Sequence, residues 1–145
     1  MAVWNITMKV IGFDHLVLTV ASIERTVAFY TRALGMTHEV FGPDGRSALR
    51  FGSHKINLHQ SDNMFAPRAE HPMPGSGDIS LLVDDFEGIE EQLVANDVPI
   101  LVPPSERTGA RGTLRSIYLR DPDGNLVELS TYADPRLKAA GAADV

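Results

Sequence analysis

Two histidines and two carboxylates fall on the polar sides of stretches that otherwise alternate apolar and polar. His15 lies in Phe13–Val20, His59 in the run ending at Gln60, Asp78 in Asp78–Val83, and Glu128 in Leu126–Ser130. A strand sends alternate side chains to opposite faces, so each residue opposes an apolar set that must be buried. Two imidazoles and two carboxylates on one concave sheet would suit a divalent cation of intermediate softness. Thr19, Asn57, Ser80 and Ser130 share that face and could hydrogen-bond a polar substrate, with Tyr118 nearby on the adjoining strand. Arg50, on the polar side of its strand, and Arg107 and Arg111, in a loop, could each grip an anionic group through two parallel hydrogen bonds. The plainer alternatives stay open at this level. A lone strand histidine is usually structural, and Glu128 could meet solvent or pair with Arg120. His38, His54 and His71 read as surface or turn residues.

The elements that would hold these residues can be traced along the chain. In the first strand Leu16, Leu18 and Val20 oppose His15, Val17 and Thr19. Ser22 is a suitable N-cap for a helix through Leu34, with Ile23, Val27, Tyr30 and Leu34 at helical spacing, and Gly35 stands where a left-handed cap belongs. Strands about Thr37–Phe41 and Ser47–Phe51 flank the turn Gly42-Pro43-Asp44-Gly45, and another strand runs through Gln60. Ser61–Gly77 is irregular and long enough for a linker or an active-site loop.

The plan then restarts. A strand at Asp78–Val83 is followed by Asp85, which can cap a helix carrying Phe86, Ile89, Leu93 and Val94. A proline-rich passage and the loop Arg107–Gly112 lead to a hairpin over Ser116–Ser130. Pro122 and Gly124 supply its reversal. Asp78 follows His15 by the same interval as Asp85 follows Ser22. His59 and Glu128 are separated by a slightly longer interval, which a longer second hairpin would explain. Repetition of this kind fixes the architecture. The expected fold is α+β: two βαβββ modules, about 11–60 and 78–132, joined by a linker at 61–77, forming a curved eight-stranded mixed sheet. Residues 133–145 read as a loosely held tail.

A chain of 145 residues is one domain by size. The absence of cysteine excludes disulfides, thiolate metal sites and a cysteine nucleophile. A net charge of −6 argues against nucleic acid as partner, and no apolar run reaches the length of a membrane span. Residues 1–12 lack the pattern of a secretory signal. A cytoplasmic protein that handles small molecules is expected, and open edge strands point to a homodimer.

Three motifs carry a resemblance: Asp14-His15-Leu16-Val17-Leu18, Phe29-Tyr30-Thr31-Arg32-Ala33-Leu34-Gly35, and Arg120-Asp121-Pro122-Asp123-Gly124-Asn125 followed by Glu128. Together they resemble the vicinal-oxygen-chelate superfamily of glyoxalases, fosfomycin- and bleomycin-resistance proteins and extradiol dioxygenases. Within it the chain is similar to the glyoxalase domain-containing protein 5 type from Ile11 to Tyr132, including Pro72-Met73-Pro74-Gly75-Ser76 and Arg107-Thr108-Gly109-Ala110.

The resemblance implies His15, His59, Asp78 and Glu128 as ligands of a divalent ion (nickel, zinc, manganese or iron). It also implies a lyase, isomerase or dioxygenase that chelates neighbouring oxygens of a small substrate and stabilises an enolate or alkoxide. Glu128 would be the proton acceptor in an isomerase. Many members carry histidine where this chain has Asp78, and His15, His59 and Glu128 alone would still leave open positions. The alternative it implies is metal-free sequestration of a drug, as in bleomycin resistance.

Overall fold

The computed structural model of the chain describes residue 5 and residues 7–142. Alternation in the first stretch becomes β1 (His15–Val20), whose Leu18 and Val20 are buried. Helix α1 (Ile23–Leu34) follows. Its N-cap Ser22 accepts a hydrogen bond from the Arg25 amide, and it ends at Gly35 with φ of 70°, a left-handed conformation that glycine adopts without a Cβ penalty. Three strands complete the unit: β2 (Thr37–Phe41), β3 (Arg46–Phe51) and β4 (His54–Gln60). They form a sheet in the order β1-β4-β3-β2, with β1 parallel to β4 and the other pairs antiparallel.

The second unit repeats this with β5 (Asp78–Leu82), α2 (Ile89–Ala95), β6 (Ile100–Thr108), β7 (Thr113–Arg120) and β8 (Leu126–Tyr132), in the order β5-β8-β7-β6. The two βαβββ modules are therefore present, and their eight strands hydrogen-bond as two mixed sheets of four. No described helix is long and apolar enough to cross a membrane.

Three local expectations need correction. The proline-rich passage is not a loop: Pro103 and Pro104 lie within β6, and so does Arg107. Proline is tolerated there because β6 is an edge strand, and its register against β7 slips between Val102 and Ser105. Helix α2 starts later than Asp85. The Asp85 carboxylate instead accepts from the Gly88 amide, closing a turn ahead of the helix and leaving Phe86 outside it. The tail is ordered in part as α3 (Pro135–Ala142), where the Asp134 carboxylate accepts from the Arg136 amide and side chain.

Both sheets and helices α1 and α2 share one core. Leu49, Ile56, Leu58, Leu119 and Val127 are almost fully buried in it, together with Tyr30 and Leu93 from the helices. Burying each such side chain contributes about 1.5–3 kcal/mol.

What fixes the modules to each other is polar. The buried turn Asp121–Asn125, between β7 and β8, reaches across to α1. One carboxylate oxygen of Asp121 accepts from the amides of Asp123 and Asn125, and the other from the Tyr30 hydroxyl at 2.8 Å and the Asn125 side chain at 2.8 Å. Asn125 in turn accepts from the Gly77 amide at 2.7 Å, which ties the linker down. Asp123 receives Arg25 and the Ala21 amide. Gly75, with φ of 81°, passes so close that a Cβ there would sit 2.5 Å from the Asp123 carbonyl oxygen. Burial and the neighbouring carboxylate hold the Tyr30 hydroxyl far above the usual tyrosine range.

Tyr30→Phe removes a hydrogen bond from a buried carboxylate without changing the volume filled. It should lower unfolding stability by about 1–3 kcal/mol, read from urea midpoints. An unchanged midpoint would show that the modules do not depend on this bond.

Candidate functional site

Each sheet turns one face to the shared core and the other away from it, and the polar residues lie on the second. On the first sheet, register fixes three rows across the strands. Thr19 pairs with His59, and Arg46 lies beside it on β3, opposite Phe41. Val17 pairs with Asn57, then Ala48 and Glu39. His15 pairs with Lys55, then Arg50 and Thr37. His15 and His59 thus share a face but stand two rows apart, roughly 13 Å along the strands. On the second sheet, Ser80, Glu128 and Tyr118 form one row, and Asp78 pairs with Leu126 one row away.

The register also corrects the correspondence between the modules. Asn57 faces the third residue of β1, and Glu128 faces the third residue of β5. The counterpart of Glu128 is therefore Asn57, and that of His59 is Ser130.

The two expected histidines are engaged differently. His15, exposed at the start of β1, contacts the Asp14 carboxylate through Nδ1 at 2.7 Å, which leaves Nε2 free. That contact holds the Asp14 carboxyl below its ordinary range. A carboxylate behind an imidazole is the usual support for a metal-binding histidine. His59 is 3% exposed, and its Nε2 lies 3.0 Å from an Arg46 guanidinium nitrogen. A guanidinium only donates, so Nε2 is the acceptor and the ring is neutral with its proton on Nδ1. The lone pair that a metal would take is already used. Phe65 lies against the imidazole, with ring centres 5.8 Å apart, and Arg46 stacks on Phe65 at 4.7 Å.

Glu128 is half-buried and held from behind. Its Oε2 lies 2.6 Å from the hydroxyl of Ser116 and 3.1 Å from that of Ser130, both fully buried. The two hydroxyls are 2.7 Å apart, so a relay from Ser130 to Ser116 to the carboxylate satisfies the shorter contacts with one proton each. No serine hydroxyl engages Oε1, and the Tyr118 hydroxyl lies within reach of the carboxylate. Burial, then the Glu128 carboxylate, raises the Tyr118 hydroxyl above the tyrosine range, and Arg107 works against this from a position 5.3 Å from the ring centre.

The remaining expected residues are placed as follows. Arg50 is paired with Glu39 at 2.6 Å at the surface. Arg111 stacks on Tyr132 at 4.9 Å. Asn57 is buried, and its Oδ1 has no partner among the described residues. Asp78 is exposed at the start of β5.

No three His, Asp or Glu side chains gather closely enough to hold a metal among the described residues of one chain. The donor chemistry of His15 and Glu128, each oriented from behind, fits a divalent ion. That of His59 does not. Sequence reasoning missed Ser116, Arg46 and Phe65. Ser116 was findable, since it alternates with Ile117 on the face of Tyr118.

The family model described as Glyoxalase/Bleomycin resistance protein/Dioxygenase superfamily matches residues 12–129. The chain is 45% identical over 130 residues to the glyoxalase domain-containing protein RDO1 of Mycosarcoma maydis, covering 89% of this chain and 73% of that protein. The crystal structure of virulence protein STM3117 from Salmonella typhimurium is similar with a TM-score of 0.84 and 43% identity, covering 87% of this chain and all of that one. An integron cassette protein from the mobile metagenome of V. cholerae gives a TM-score of 0.85 at 46% identity, covering 88% of this chain and all of that one.

Burial first, then the charges of Arg46 and Arg68, hold the His59 imidazole below the ordinary histidine range. The unfolded chain therefore binds this proton first, and stability rises with pH through that range. On acidification through about 6.5, the native protein should lose stability relative to His59→Gln, the difference levelling off below the native pKa. Paired urea denaturations at several pH values measure this. Parallel curves for the two proteins would contradict it.

Proposed function

Because the chain belongs to the Glyoxalase/Bleomycin resistance protein/Dioxygenase superfamily, we propose that it is a metal-assisted enzyme acting on a small, oxygen-rich substrate in the cytoplasm. The observation that carries this is the presentation of Glu128, whose Oε2 is oriented by a buried serine relay on a face turned away from the core, with the Tyr118 hydroxyl beside the carboxylate. His15, Asp78 and Glu128 would hold the ion, with His59 outside the set. An ion held there supplies charge stabilisation for neighbouring substrate oxygens.

The chain's own residues account for the rest. Glu128, oriented by the serine relay, is placed to accept a substrate proton in isomerase or lyase chemistry, and stays a fixed ligand in a dioxygenase. Arg107, reaching over Tyr118 beside Glu128, offers the guanidinium for an anionic substrate group. Likeness to the glyoxalase domain-containing protein 5 type is part of the same proposal, supported by the long match to RDO1.

One chain does not complete a donor set, and this favours a homodimer in which His15 of one copy meets Asp78 and Glu128 of the other. The exposed apolar residues Val10, Ile11 and Phe13, in the segment leading into β1, support such pairing.

His15→Ala and Glu128→Gln should each bind far less metal than the parent, measured by elemental analysis after loading with nickel, zinc, manganese or ferrous iron. Mixed under refolding conditions, they should regain metal, because each mixed dimer carries one site with neither substitution. Full metal in either single variant, or no recovery on mixing, would count against the shared site. Antibiotic binding by a metal-free protein with no turnover of hemithioacetals, α-keto acids or catechols would favour sequestration instead.

A further inference from the structure

A cavity of about 320 Å³ opens where β1 and the end of β4 meet the linker and the start of β5. It takes Asp78 and Ile79 from β5, and none of its lining comes from β6, β7 or β8. Its apolar lining includes Val17, on the His59 face of β1, and Met73, with Leu16 from the other face at the strand's open edge. The polar part includes His59, Arg68, His71 and the Asp78 carboxylate. His59 lines the cavity while almost wholly buried, and its only hydrogen bond among the described residues is the one that Nε2 accepts from Arg46. The tautomer this imposes leaves an Nδ1–H with no protein acceptor. Arg68 lines the same cavity and makes no ion pair or hydrogen bond with any described residue. Its charge is felt at His59.

An N–H without an acceptor on a buried ring costs free energy unless a ligand or water supplies one. A free guanidinium beside it selects an anion, and a carboxylate can serve both donors. Asp78 also lines the cavity, and its charge limits the site to a ligand with a single anionic group. The volume is about twice that of an engineered cavity that holds benzene, roughly 150 Å³, which leaves room for one ring and a short acidic arm.

We propose that this cavity binds a monocarboxylate with an aryl-sized apolar body, its carboxylate between Arg68 and the Nδ1–H of His59 and its ring against Leu16, Val17 and Met73. Arg46 is a positioning residue here: it fixes the tautomer that makes His59 a donor. The site uses no metal and so does not rest on the catalytic reading above.

The test uses the full chain stripped of metal with a chelator. 3-Phenylpropanoate and its neutral amide are titrated separately by calorimetry or by chemical-shift changes. The acid should bind at least about tenfold more tightly than the amide. Arg68→Gln, a surface change that the fold tolerates, should remove most of that preference while leaving amide binding alone. Val17→Trp should fill the cavity and abolish both. Equal affinity of acid and amide, an Arg68→Gln variant that keeps the preference, or no binding of the acid at millimolar concentration would overturn the proposal.

Discussion

The Asp121 carboxylate is the interaction on which the arrangement of the molecule depends. It is buried and accepts four hydrogen bonds, two from its own turn, one from the Asn125 side chain and one from Tyr30 of the other module. A buried carboxylate without those donors would be costly, so turn, helix and linker are held together as one unit. The apolar core can tolerate small slips, because dispersion has no direction. Hydrogen bonds to a fixed carboxylate cannot, and they determine how the β7–β8 hairpin lies against α1. Glu128 begins three residues beyond this turn, so the latch also sets the position of the candidate catalytic residue.

The outward faces of the two sheets have become chemically unlike, although they come from one repeated plan. The first carries Arg46 beside a neutral His59, with Phe41 and Phe65 stacked against it, and Arg50 and Lys55 two rows away. The second carries a carboxylate on a bed of serines. Equivalent backbone positions hold Asn57 and Glu128, which is the difference between a neutral acceptor and an ionisable one. A face of cations with a free imidazole N–H suits anions, and a face presenting an oriented carboxylate suits metal or proton transfer. The division of labour follows from the side chains carried at equivalent register positions.

Much of the architecture was legible in the chain. Alternation gave β1, β4, β5 and β8, helical spacing with Ser22 and Gly35 gave α1, and the repeated intervals gave two modules. The failures have physical causes. Two consecutive prolines hid β6, because a strand at a sheet edge does not need every amide in a ladder. Asp85 looked like a helix cap, and the chain used it one turn early. The candidate residues were placed on the correct face, since a period of two is a local property. Their grouping was not legible.

The sequence by itself determined which residues turn away from the core, and hence that His15, His59, Asp78 and Glu128 would lie on polar faces. It also determined the Asp-Pro-Asp-Gly-Asn turn, whose backbone angles are dictated by proline and glycine. Only the tertiary structure decided which of those residues meet. Register, which depends on pairing between distant strands, set His15 and His59 two rows apart and made Asn57 the counterpart of Glu128. It also brought Arg46 onto His59 and Ser116 onto Glu128. An alternating pattern gives a side chain its face but carries no information about the neighbour across the ladder, and it is that neighbour which fixes the proton on His59 and the orientation of Glu128.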